Sequence, residues 1–531
     1  MGEPAEAIGI SKQENTNNLA DVLSTRLSRE LVVSLCGPVG CGIRDIQRIV
    51  QEAFECASYK VIHIKISDLI KREIKTTDAL ADLRSGLPND SAGRADQIRQ
   101  MQVLGNQLRK RYGNDVCSKL AIRDIAVWRQ RHPKSESPDK IAITESTVFL
   151  IDQLKHPAES ELLQTVYGNI YYQVGILSSD DEKINTLIKD DIDRAAAVQL
   201  IEIDRRENDK KYGQQLEKTL AYSDYFISNI SQNLPSLKDR VNRFINLVHG
   251  KIGITPTFDE VGMNAAYTAG LRSACLSRQV GAAICDDNGN VLSVGRNDVP
   301  KFGGGLYTSD DGENDRRCVN YGAKCYNTEH INKLKDDIKR ILVPHITNPK
   351  DVSDVIENIE KNTLIGSLLE FSRAIHAEMD AITALARNNN CGTHNATIYT
   401  TTYPCHNCAR HIIAAGIKRV VYIEPYAKSL ATKLHGDAIK HDSFTGSHVN
   451  IESFEGVAPR RHQGFFAARS SRKDEEGRAL SYSKKDRSHV DAVLVSKYTE
   501  TEEKVAQIIT DRLKESPQIL ASIGADNNHQ R

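Results

Sequence analysis

Two short runs constrain this chain more than any other feature: His376-Ala377-Glu378, and Pro404-Cys405-His406-Asn407-Cys408. The first lies in "SRAIHAEMDAITALAR", which has helical spacing. The second opens the helix "HNCARHIIAAG", and the strand "ATIYTTTY" separates them. Cys405 and Cys408 are three apart, so they share one helical face. Both stand in a first turn, where the helix dipole favours the thiolate. With His376 they make three ligands for a tetrahedral zinc ion and leave the fourth position to water, as a catalytic site requires. Two thiolates and a neutral imidazole cancel the charge of Zn²⁺, so the water is acidified less than at an all-histidine site. A base beside it is needed, and Glu378, which is not a ligand, supplies one. A structural zinc or two buried cysteines would account for C-x-x-C alone, but not for H-x-E and the preceding proline.

The rest of the chain alternates strands and helices, which predicts sheets covered by helices. At 531 residues it exceeds one ordinary domain. Residues 1–27 read as a flexible polar N-terminus. Residues 28–250 read as a parallel-sheet domain of the P-loop NTPase or kinase type. Residues 251–465 read as the zinc domain, and 466–531 as a charged tail with one helix, "ETEEKVAQIITDRL". Pro256 stands just ahead of the zinc domain's first helix, and Asp287-Asn288-Gly289-Asn290 marks a hairpin. The segment from Val299 to about Ile365 is long and polar, as expected of a lid or functional insertion.

Lys+Arg and Asp+Glu are 70 each, a neutral balance that argues against a general nucleic-acid binder. No signal peptide or bilayer-length apolar run is visible, which predicts a cytoplasmic protein without membrane attachment. Eleven cysteines in such a chain point to metal ligation or burial rather than to a disulfide scaffold.

The H-x-E … P-C-x-x-C pattern is the signature of zinc deaminases. With "CLSRQVGAAI", "GRNDVP", "TTYPCHNCARHIIAAGIKRVVY" and "GVAP", residues from about 256 to 460 resemble the deoxycytidylate deaminase branch of the cytidine deaminase fold. The resemblance implies an α/β/α domain with a mixed five-strand sheet, a catalytic Zn²⁺, and a deoxycytidine nucleotide as substrate. It implies substrate contacts at Asn297, Ala377 and Pro404. Asn297 lies in Gly295-Arg296-Asn297-Asp298-Val299-Pro300, where the family has G-Y-N-G-x-P. Met379 and Asp380 also depart from the family, which usually has Gln or Cys and then Asn after H-A-E. As a whole, with "FGGGLY" and "EPYAKSLATKLHGDAI", the chain resembles the bacterial anti-phage dCTP/dCMP deaminases. That resemblance implies dCTP or dCMP depletion in defence, a homo-oligomer, and an inhibitory small RNA as partner.

Further signals are weaker. "CGPVGCGIR" has the glycine spacing of a phosphate loop at Gly37 and Gly42, with Gly40 between them. But Ile43 replaces the lysine and Arg44 the Ser/Thr. Such a loop can cradle a nucleotide effector on backbone N–H groups, while phosphoryl transfer is hard to support. Asp152 reads either as a Walker B acid or as an ordinary strand-end residue. Cys318 and Cys325, with His330 near, are candidates for a second metal, or two thiols in a lid. Arg316, Arg317 and Lys324 are candidates for substrate phosphates, or a solvated face. "RRHQGFFAARSSRK" (460–473) reads as an RNA contact or as a charged edge. His406 and His411 read as surface or supporting residues, and Trp128 as a core anchor.

Three rival functions follow from the same residues. Editing cytosine or adenine within a nucleic acid is disfavoured by the neutral charge and by Asn297. A nucleotide kinase with a regulatory zinc half is disfavoured by the missing lysine. A non-catalytic nucleotide or RNA sensor leaves Glu378 without a role.

Overall fold

The computed structural model describes residues 28 and 30–514, except 90, 133–145, 207–210, 229–233, 347, 364, 366–367, 369, 389–391, 427–428, 442–445, 469–470 and 481–494. The stretch expected to be a flexible N-terminus, 1–27, lies outside them.

Apolar runs set up the first half. β1 (Glu30–Cys36) leads into α1 (Ile43–Cys56), followed by β2 (Lys60–Lys65), α2 (Val116–Arg131), β3 (Thr147–Asp152), β4 (Tyr171–Leu177), α3 (Asp180–Lys189) and β5 (Tyr225–Ser228). These five strands pair in parallel, in the order β5-β4-β1-β3-β2. β1, β4 and β5 are buried along their whole length, as strands covered on both faces must be. Leu31, Val33 and Leu35 of β1 pack with Ile46 and Phe54 of α1. Val32 packs on the opposite face, with Leu120 and Ile125 of α2.

The second half opens with α4 (Phe258–Gly270). Thr257 and Glu260 form a capping box at its start, one residue after Pro256. β6 (Gly281–Cys285) and β7 (Val291–Arg296) form the expected hairpin, followed by α5 (Ala377–Asn388), β8 (Thr397–Thr402), α6 (His406–Ala414), β9 (Arg419–Glu424), β10 (Ile439–His441) and β11 (Val449–Ser453). The sheet order is β10-β11-β9-β8-β6-β7, with β6 antiparallel to both neighbours and the other pairs parallel. The sheet is mixed, as expected, but it has six strands and not five. The three-residue β10 is too short to carry a periodic signal.

Strand alternation joins the halves. Ala282, Ile284, Ile398 and Val420 face the core beneath α5 and α6. Their neighbours Ala283, Cys285, Tyr399 and Val421 face the other way and pack with Cys36, Leu177 and Phe226 of the first half.

Three segments differ from their reading in sequence. "VNIESFEGVAP" is not one strand. After β11 the chain turns at Gly456 (φ +114°), and β12 (Gly456–Val457) pairs antiparallel with β5 of the first sheet. Glu260 fixes this crossing, accepting from Val457 N at 2.8 Å and pairing with Arg243 at 2.5 Å. The polar insertion after Val299 contains two helices, Tyr326–Leu342 and Pro349–Asn362, bridged by Lys335 and Glu360 at 2.9 Å. Within the stretch read as a charged tail, α7 (Val495–Lys514) docks on the first half. Arg129 of α2 donates to Glu502 at 3.0 Å and to Glu30 at 2.5 Å, and Tyr498 Oη donates to Glu30 at 2.9 Å.

The basic run from Arg460 also packs inward. Arg460 pairs with the buried Asp224 at 2.6 Å, and Phe465 is buried beside Tyr172. Its leading arginine and an aromatic ring are therefore part of the fold, not a free RNA-stacking surface. Among the described residues, no helix is long and apolar enough to cross a membrane.

Candidate active site

β8 runs into the sequence Tyr403-Pro404, and Cys405 then caps α6, accepting from Cys408 N at 3.4 Å. His376 immediately precedes α5. The helix begins later than its sequence pattern suggests, because Ile375 is held in a β-bridge with Asp298 (Ile375 N to Asp298 O, 3.0 Å). β7 positions α5 by close approach. A Cβ on Gly295 would stand 2.2 Å from Ala377 O and 2.3 Å from Ala381 N.

These constraints bring His376 Nδ1 to 3.3 Å from both Cys405 Sγ and Cys408 Sγ. Among the described residues this is the single group of three His, Cys, Asp or Glu whose donor atoms lie within 4.8 Å of one another. A tetrahedral zinc ion with ordinary Zn–S and Zn–N bonds places its nitrogen and sulfur ligands about 3.6 Å apart. The donor set and its spacing fit zinc.

The electrostatics suit it as well. A hydrogen bond from Cys408, opposed by burial and helped by His376, pulls the Cys405 thiol down to about 4. The bond with Cys405 raises His376 to about 9. The same bond, with burial, pushes the Cys408 thiol up, and a divalent cation draws such a proton off. Glu378 is 4% exposed, and burial raises its carboxyl above the usual range. It lies against Cys408, one residue into α5 past Ala377.

Of the other candidates, Ala377 and Pro404 are buried beside the donor atoms in sequence. Asn297 is 8% exposed, and its amide holds the preceding loop. Oδ1 accepts from Val280 N at 2.7 Å and Nδ2 donates to Arg278 O at 2.8 Å. Arg317 is bound to Asp315 at 2.6 Å and Lys324 to Glu329 at 2.9 Å, while Arg316 is exposed. Cys318 lies near both Cys275 and Cys325, and Cys325 Sγ is 3.5 Å from Ser277 Oγ. They do not complete a three-donor cluster among the described residues. His411 Nδ1 is bonded to Asn407 O at 2.6 Å. Gly40, Gly42 and Arg44 line a separate cleft in the first half, and Gly37 O accepts from Lys155, which lines the same cleft.

Two positioning residues were not recognised from sequence. Asp380 Oδ2 accepts from Arg296 N at 3.0 Å, fixing the end of β7 beside Asn297. Asp298, 1% exposed, accepts from Ala274 N at 3.0 Å and tethers Ile375 just ahead of His376. Both were visible only as departures from the family pattern.

Fold and donor set define an α/β protein with a zinc site and a buried carboxylate beside it. The pattern of the cytidine and deoxycytidylate deaminase zinc-binding region matches residues 256–424. The deoxycytidylate deaminase of Enterobacteria phage T2 is 33% identical over 167 residues, 32% of this chain and 80% of its own. That of Enterobacteria phage T4 is 32% identical over 167 residues, 32% of this chain and 78% of its own. The crystal structure of the dCMP deaminase from cyanophage S-TIM5 in apo form is 19% identical, with a TM-score of 0.21, covering 38% of this chain and 100% of its own. The chain belongs to the cytidine and deoxycytidylate deaminase family.

Proposed function

We propose that this chain hydrolyses the C4 amine of a deoxycytidine nucleotide, dCMP or dCTP, giving the deoxyuridine nucleotide and ammonia. The observation that carries the reading is the burial of Glu378 against a convergent His376, Cys405 and Cys408. A purely structural zinc site gives a buried carboxylate no task. His376, Cys405 and Cys408 hold the zinc, which when bound supplies Lewis acidity for hydrolysis.

Glu378 does the proton work. Its carboxylate takes a proton from the attacking water and delivers it to ring N3. The water oxygen bonds to C4, the C4–N bond breaks, and the second proton leaves with the amine as ammonia. Burial raises the affinity of Glu378 for the proton it holds between these transfers. Asn297, Ala377 and Pro404 form the substrate-side wall. Similarity to phage deoxycytidylate deaminases supports a free nucleotide over a nucleic-acid strand. The role in anti-phage depletion of deoxycytidine nucleotides rests on the whole-chain resemblance.

The test is to offer purified protein dCMP, dCTP, CMP and single-stranded DNA side by side, following ammonia and the product base. Turnover of a free deoxynucleotide is expected. Turnover confined to DNA would replace this reading with nucleic-acid editing.

A further inference from the structure

A second cleft, of about 390 Å³, opens at the end of β1, away from the zinc ligands. Its wall is the loop Val39–Asp45, with Lys71, Arg94, Gln102 and Lys155 around it. Gly40 and Gly42 both take positive φ, +80° and +74°. A Cβ on Gly40 would meet Lys183 O of α3 at 2.7 Å. Left-handed residues alternating along a loop turn its N–H groups toward one concave side, where anions bind. Among the described residues, the amides of Gly40 and Gly42 donate to no acceptor.

The loop lacks its own lysine, but a lysine reaches it from elsewhere. Lys155, three residues past the end of β3, is 9% exposed. Its Nζ donates to Gly37 O at 2.9 Å and stands 3.7 Å from Asp204 Oδ1. Asp204 Oδ2 in turn accepts from Val39 N at 3.1 Å. The cation is thus anchored to the loop at two points, in the cleft wall.

Gln102, 8% exposed, adds an independent mark. Its Oε1 is buried in the same wall with no partner. A buried acceptor left unpaired is costly, and a ligand hydroxyl or amino group would satisfy it. Inorganic phosphate at neutral pH offers little to such an acceptor, whereas a ribose or a base offers donors. Transfer chemistry, by contrast, lacks its parts. Arg44 replaces the hydroxyl that would hold Mg²⁺. Asp152 accepts from Ile66 N at 3.0 Å and faces His63 at 3.6 Å, so it caps a helix.

We propose that this cleft binds the phosphate chain of a nucleotide, with Lys155 as the cation the loop lacks, and holds it without phosphoryl transfer. The test is calorimetric titration of the full chain with ATP and GTP in turn, in Mg²⁺ and in EDTA, with inorganic phosphate as the control. The readout is binding of nucleotides that carry no cytosine, so it is independent of the zinc-site reading. At least one nucleotide is expected to bind one per chain, to bind in EDTA, and to be recovered intact. Lys155→Met should weaken binding about tenfold or more, the worth of a charge-assisted hydrogen bond. Because Lys155→Met leaves Asp204 buried opposite a lost cation, Arg94→Glu on the exposed rim is the second variant. It should also weaken binding, with unchanged melting. The proposal is overturned if no nucleotide binds, if inorganic phosphate binds as tightly, if a folded Lys155→Met or Arg94→Glu keeps wild-type affinity, or if Mg²⁺ brings release of the diphosphate.

Discussion

His376 Nδ1 lies 3.3 Å from Cys408 Sγ, although the two residues stand 32 positions apart at the starts of different helices. Strand β8 and the turn at Pro404 close that distance, and Asp298 fixes the backbone just before His376. The zinc site is therefore a property of the strand ends as much as of the ligands, and the neighbouring residues have measurable effects.

Asp380 acts through Arg296. Asp380→Ala frees the amide at the end of β7 and loosens the wall at Asn297. If Asn297 contacts substrate as proposed, kcat/KM should fall by about tenfold to a hundredfold, the cost of misplacing such a contact, with zinc content unchanged. Asp380→Asn keeps an acceptor and should recover most of the loss. Steady-state kinetics with metal analysis decide it, and wild-type kinetics in Asp380→Ala would remove this role.

Gly295 has no room for a side chain. Gly295→Ala would drive a methyl into the first turn of α5, so it should lower stability by about 1–3 kcal/mol. The same shift should displace Glu378 and reduce activity in the protein that remains folded. Thermal unfolding beside kinetics checks this, and an unchanged melting temperature would contradict the packing.

Glu502 binds Arg129 and Tyr167 from the C-terminal helix. Glu502→Ala removes its bonds from Arg129 and Tyr167 while Arg129 keeps Glu30, and should cost about 1–3 kcal/mol in denaturant unfolding. A neutral result would mean that α7 does not belong to the first half's core.

That helix shows why some of the structure was legible in the sequence and some was not. The zinc ligands were readable because four functional residues sit in two short runs at helix starts. The hairpin was readable because Asp287 to Asn290 is a strong turn. The docking of α7 was hidden because Tyr498 and Glu502, which carry it, look like surface residues in a charged stretch. The crossing at Gly456 was hidden because alternation runs on through it, and only pairing shows the change of sheet. Lys155 was hidden because it approaches the phosphate-type loop in space and not in sequence. The resemblance marks Asn297 as a substrate contact; in the structure its amide is bonded to Val280 N and Arg278 O.

Glu455 makes stability depend on pH. It links β11 to β12, accepts from Ser228 N at 2.7 Å, and pairs with Arg240 at 2.9 Å. Burial, partly offset by Arg240, raises its carboxyl from the ordinary 4.5 to about 7. The folded state therefore binds a proton that the unfolded chain releases first. The stability this proton contributes is full below pH 4.5 and is lost as pH rises through 7. Glu455→Gln should abolish that slope, so its melting temperature should gain on wild type between about pH 5 and pH 8. Parallel melting curves across this range would count against it.

The most direct test of the deaminase reading is to compare wild type and Glu378→Gln in one assay of dCMP and dCTP deamination, with zinc measured on the same samples. The account predicts equal zinc in both proteins and a loss of about a thousandfold in turnover for the variant, the scale of a removed general base. Comparable turnover in the two proteins, at equal zinc, would contradict it.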